Sequence, residues 1–221
     1  MSDIFREVDE ELRQDKLRAL WKKHGLSIII FAAAIVVGVA GMRGYQAWDR
    51  SQAGADGARF SRAIELLREG EREEGRAILA ELAADSYANY PVMARMREAA
   101  AFAEAGERDA AVAAYDAVAG DGGVDQMLRD VARVRAALIL VDSAAPDEIQ
   151  DRLGDLAESE GSWHHSAREL IALSLYRAGD HAAADAEYDR IMADPAAPVG
   201  LRGRAEMMRA LIAPHLATAG Q

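Results

Sequence analysis

The residues best suited to chemistry in this 221-residue chain are its five histidines, and two of them, His164 and His165, are adjacent. Imidazoles bind transition metals when their nitrogens converge on one point. Consecutive side chains leave a helix about 100° apart, so this pair is expected to diverge, and no third ligand stands out near it. There is no cysteine, which excludes a thiol nucleophile, a disulfide framework and a thiolate zinc site. No serine sits in a Gly-x-Ser-x-Gly elbow, and Gly120-Asp121-Gly122-Gly123 lacks the spacing of a phosphate cradle. Paired acids abound, but on helices such runs form solvated faces. The chain is therefore expected to be no enzyme, with no catalytic residues, no metal, no cofactor and no small-molecule substrate.

The elements that would carry these residues are helices. The chain is rich in alanine and poor in proline, and its Ala, Leu, Glu and Arg lose little freedom on entering a helix. Charge is uneven along it. All three lysines (Lys16, Lys22, Lys23) precede one apolar segment, and from Ser51 onward 18 arginines face 30 acids. A domain this acidic repels phosphate backbones, so nucleic acid is not an expected partner.

The apolar segment, Gly25 to Met42, reads GLSIIIFAAAIVVGVAGM without a charge. Extended to Tyr45 it gives about 31 Å of helix, enough to cross a hydrocarbon core of about 30 Å. Trp21 flanks one end, and Tyr45 and Trp48 the other, where amphipathic rings favour the headgroup layer. Its charged lead is too long, and its apolar run too extended, for a cleaved signal peptide. Residues 9–24 carry five Lys or Arg, and residues 43–58 only Arg43 and Arg50, which predicts a cytoplasmic N-terminus. Ala34, Gly38, Gly41 and Gly44 form a small-residue face against which another membrane helix could pack. The expected organisation is a cytoplasmic amphipathic segment over 1–24, a span over 25–45, a linker over 46–58 and an external domain over 59–221.

That external domain repeats. AGERDAAVAAYD at Ala105–Asp116 matches AGDHAAADAEYD at Ala178–Asp189 without a gap, EGEREEGRAIL from Glu69 precedes the first by 36 residues, and DSAAPDEIQDRL follows as a degenerate copy around Ser143. Each unit reads as two helices joined at a turn glycine, which adopts a left-handed cap at no steric cost. A small residue recurs before the turn (Ala63, Ala99, Ala136, Ala172) and after it (Gly75, Ala111, Ala184), so two antiparallel helices can approach closely. A large residue follows (Leu79, Tyr115, Tyr188) to fill the space between pairs. A last helix, from about Pro198 to Ala213, would cap the open end. The fold class is all-α: one N-terminal transmembrane helix, then a tetratricopeptide-like α-solenoid of about four helix pairs plus a capping helix.

The chain resembles the YfgM-like family over nearly its full length, most clearly in GSWHHSARELIALSLYRAGDHAAADAEYDRIMADPAAPVGLRGRAE from Gly161 and in the opening SDIFREVDEELRQDKLRALWKKHG. The resemblance implies an ancillary subunit of the SecYEG translocon in the bacterial inner membrane. Its periplasmic domain would work with a membrane-anchored periplasmic chaperone on exported polypeptides, and its partners would be translocon subunits, that chaperone, exported chains and the lipid bilayer. Tetratricopeptide geometry places a protein-binding groove on the first helix of each pair, for which Met93, Met96, Arg133, Glu169, Tyr176 and Arg177 are the candidates. Trp163 is expected as an anchor between repeats, with ligand stacking as the alternative. The rival reading of function is a scaffold subunit of another inner-membrane complex, bound through its span and N-terminus.

Overall fold

A computed structural model describes residues 30–31, 34–45, 48, 53–86 and 89–219, which fall into two compact units, Met1–Ala55 and Asp56–Gln221. In the first unit the described residues from 30 to 48 are helical and exposed. Ala34, Gly38, Gly41 and Gly44 all lie on this helical stretch, and no atom comes within 4 Å of where a Cβ would stand on any of the three glycines. Among the described residues no helix is long and apolar enough to cross a membrane. The expected span over 25–45 includes residues 25–29, 32 and 33, and the expected amphipathic segment is 1–24; both sets lie outside the described residues.

In the second unit the helices follow one another as antiparallel pairs: α1 (a helix over 53–69, of which 56–69 lie in this unit) with α2 (Arg72–Ala84), α3 (Tyr90–Glu104) with α4 (Arg108–Ala119), α5 (Gln126–Leu140) with α6 (Pro146–Ala157), and α7 (His164–Arg177) with α8 (His181–Ala193). A ninth helix, α9 (Val199–Ala219), closes the series. No strand occurs among the described residues.

Three of the four intra-pair turns are built alike. Gly70, Gly106 and Gly179 take φ of 91°, 80° and 88°, a region that a Cβ penalises. At each, the glycine N–H reaches back three residues (to Leu67, Ala103 and Tyr176), and the next N–H reaches back five (Glu71 to Leu66, Glu107 to Phe102, Asp180 to Leu175). This double closure satisfies carbonyls that a helix end leaves open. Asp180 also caps α8, accepting from the Ala183 N–H at 3.0 Å, whereas the longer Glu71 and Glu107 make no such bond. The third turn dispenses with glycine. The Leu140 carbonyl accepts from both Ser143 and Ala144, each at 2.8 Å, and Pro146 opens α6 where its missing N–H would have had no partner anyway.

The recurrent small residues are where the pairs touch. Ala63, Ala99, Ala136 and Ala172 are fully buried, as are Ala111 and Ala184 across from them. At Gly75 the approach is closer still: a Cβ there would stand 2.9 Å from Leu67 Cγ and 3.0 Å from the Ala63 carbonyl oxygen. The large residues Leu79, Tyr115, Leu153 and Tyr188 are buried beside them. Four apolar clusters result, each joining three successive helices, so the core is continuous only through neighbours.

Two boundaries differ from expectation. Residues 53–58, expected as linker, are helical, and at Gly57 a Cβ would stand 2.6 Å from the Tyr90 hydroxyl. Helix α9 runs past Pro214 to Ala219, where the sequence suggested a stop near Ala213. Ile212 is fully buried and Leu216 packs on the same cluster, so tertiary packing holds the segment helical across the proline.

Candidate functional site

Apolar side chains that a solenoid leaves in water mark its binding face. In the repeat unit, the large apolar residues left exposed among those described are Met93 on α3, Met127 and Leu138 on α5, and Val199, Met207 and Leu211 on α9, with only Met192 on the second helix of a pair. The face formed by the first helices is thus stickier than the outer one.

A cavity of about 530 Å³ opens on that face. Val131, Val134, Arg135 and Leu138 line it from α5, following the three-and-four spacing that puts residues on one side of a helix. Ser166, Glu169, Leu170 and Leu173 line it from α7, with Trp163 at the entrance to that helix and Arg204 from α9. The floor is apolar because Val134 and Leu170 belong to the core beneath. The rim is charged. Arg204 donates to both oxygens of Glu169, Nε to Oε1 at 2.6 Å and a terminal nitrogen to Oε2 at 2.8 Å, a paired geometry that fixes both side chains. An apolar floor with a few oriented polar groups suits a peptide segment or an amphipathic helix.

The candidates read from sequence distribute unevenly over this geometry. Glu169 lines the cavity. Met93 is exposed on α3, away from it, and Met96 packs against the cluster joining α3, α4 and α5. Tyr176 packs on the cluster under α9, its ring centroid 5.4 Å from that of His181. Arg133 and Arg177 are fasteners between helices. Arg133 donates from Nε to the Arg152 carbonyl at 3.0 Å and pairs with Asp155, tying α5 to α6. Arg177 donates from Nε to the Val141 carbonyl at 2.9 Å and from a terminal nitrogen to Ala144, tying α7 to the preceding turn. The α5 residues that line the cavity are Val131, Val134, Arg135 and Leu138, one register step from the positions obtained by counting back from Ser143, because the third turn lacks its glycine. Trp163 packs on the core, as expected of an anchor between repeats, and also lines the cavity.

The histidine pair departs from expectation as well. The rings of His164 and His165 do not diverge: their centroids lie 3.7 Å apart. At the start of α7 the Gly161 carbonyl accepts from His164 Nδ1 at 2.6 Å, holding that ring beside its neighbour. Asp194, at the end of α8, supplies a third group that the sequence did not reveal, since it lies 29 residues away and comes close only through the antiparallel pairing of α7 and α8.

Comparison with known sequences adds the family. No curated protein and no solved structure matches the chain, but a family profile described as a tetratricopeptide repeat-like domain matches residues 18–203. The matched stretch includes every helix pair from α1 to α8, and it begins ahead of the apolar segment. The chain belongs to the tetratricopeptide repeat-like domain family.

Proposed function

We propose that this chain is a membrane-anchored adaptor that binds protein segments in the groove between α5, α7 and α9, on the outer side of a bacterial inner membrane, as an accessory of the secretion translocon. The observation that carries the reading is the groove itself: an apolar floor, an ordered charged rim, and exposed apolar residues gathered on the first helices. Protein interaction is also the general role of repeats of this family.

The anchor rests on the uncharged run from Gly25 to Met42, its aromatic flanks and the basic bias before it. The family match spans this run together with the repeats, which supports reading them as one functional whole. Tethering raises the local concentration of a weak groove near emerging polypeptides without any added contact. The acidic domain repels anionic lipid headgroups, which favours a groove held clear of the surface.

Crosslinking of the full-length chain in native membranes, with identification of the captured proteins, tests this reading. Translocon subunits and exported chains are the expected partners. Consistent capture of a different inner-membrane complex, lost when the apolar segment is exchanged for an unrelated anchor, would favour the scaffold reading.

A further inference from the structure

His164, His165 and Asp194 sit together in a cavity of about 640 Å³ that opens between the start of α7 and the end of α8, away from the groove. Asp194 Oδ2 stands 3.6 Å from His164 Nε2 and 3.4 Å from His165 Nε2, and one ligand atom from each of the three residues lies within 4.8 Å of the other two. Ligands bound tetrahedrally at about 2.0–2.1 Å from zinc are about 3.3 Å apart, so two edges of the triangle already have coordination dimensions.

Each group is oriented as a ligand would be. The Gly161 carbonyl accepts from His164 Nδ1, which leaves the lone pair of that ring on Nε2. A backbone carbonyl behind an imidazole is the usual outer support of a metal-binding histidine. The Ala196 N–H donates to Asp194 Oδ1 at 2.8 Å and leaves Oδ2 facing the rings. His165 is 5 % exposed, yet its Nε2 makes no hydrogen bond, the nearby carboxylate being out of line for one. A native interior rarely leaves such an atom without a partner, and a bound ion would supply one. The arginines on the cavity wall do not stand against a cation uncompensated. Arg190 pairs with Glu187 at 3.0 Å and with Glu158 at 3.4 Å, and Arg168 lies 3.5 Å from Glu158.

We infer that His164, His165 and Asp194 form a three-ligand site for a divalent transition ion of the zinc class, with a fourth position open to the cavity. Two nitrogens and one carboxylate suit zinc, cobalt or nickel and are a poor match for calcium or magnesium, which take oxygen ligands. The ion would join the first turn of α7 to the last turn of α8 and so clamp the final helix pair.

The test is a titration of the full-length chain, made without a histidine tag and stripped of metal, with Co²⁺ and then Zn²⁺. One Co²⁺ per chain should bind, giving the visible absorption of low-coordinate cobalt, and Zn²⁺ should displace it. H164A and D194A, both at partly exposed positions, should weaken Zn²⁺ binding on the order of tenfold or more with the helical circular dichroism unchanged. H215A, on the separate His181–His215 stack, should leave binding as it was. No uptake of Co²⁺ or Zn²⁺ at about 100 μM, affinity too weak for a built site, would overturn the assignment, and so would uptake that neither H164A nor D194A reduces. Peptide binding in the groove does not enter this readout.

Discussion

Gly75 sits where α1 and α2 come so close that its absent side chain is part of the packing. Gly75→Ala would press a methyl against Leu67 and the Ala63 carbonyl, backbone that cannot swing aside. The expected loss is about 1–3 kcal/mol, read as a lower urea midpoint at unchanged slope. Gly179→Ala works through conformation instead: its φ of 88° costs an L-residue about 1 kcal/mol, with nothing in the space around it to clash. Ion pairing is weaker. The hydrogen bond from Arg133 holds the Asp155 carboxyl below the usual carboxylate range. The native state thus favours the ionised form, so the stabilisation is present above about pH 4 and lost as pH falls through the depressed native value. Asp155 is largely exposed, and Asp155→Asn should cost only about 0.5 kcal/mol at neutral pH, a cost that shrinks as pH falls through the depressed native value. A stability difference that persists in acid would show that the carboxylate charge is not what matters there.

Helices and their pairing were largely legible in the sequence because the same physical requirement recurs every 36 or 37 residues. Glycine at the turn, a small residue on each side and a large residue beyond are each visible as residue types, and all occupy the positions they were read for. Leu153, aligned only by allowing one extra residue, is fully buried with the rest. What the sequence hid depends on distance in space. The third turn closes on one carbonyl without glycine, which shifts the register by which groove positions on α5 are counted. Arginine was hard to place for a similar reason: a guanidinium at a helix surface serves equally as a groove contact or as a fastener. Arg152 to Asp116 and Arg177 to Val141 are both 36 residues apart, the repeat period, so these arginines join equivalent edges of neighbouring pairs. The end of α9 was missed because Pro214 is a stop signal that Leu216 overrides by packing. Deletion of residues 199–221 tests the capping role directly. It should uncover Tyr188 and Ile191, broaden the unfolding transition and bring on aggregation, whereas an unchanged cooperative transition would show that α8 can end the solenoid alone.

At the scale of the whole molecule the two faces of the repeat domain differ in kind. The outer helices carry charge and few exposed apolar residues, and the inner ones carry the groove and most of the exposed Met, Leu and Val side chains. Since each helix pair rests only on its neighbours, the groove keeps its shape only while the chain of contacts from α5 to α9 is intact. On the proposed reading the charged rim adds a salt-dependent part to binding, and Glu169→Gln, which breaks the paired geometry with Arg204, should reduce peptide affinity about threefold to tenfold without unfolding the domain. The decisive comparison is photocrosslinking in native membranes from two positions of the full-length chain, Leu138 in the groove and Met192 on the outer face. Strong, saturable adducts to translocon subunits or exported chains from position 138, with few from position 192, are the expected result. Equal labelling from both positions, or none from the groove, would contradict a binding site between α5, α7 and α9.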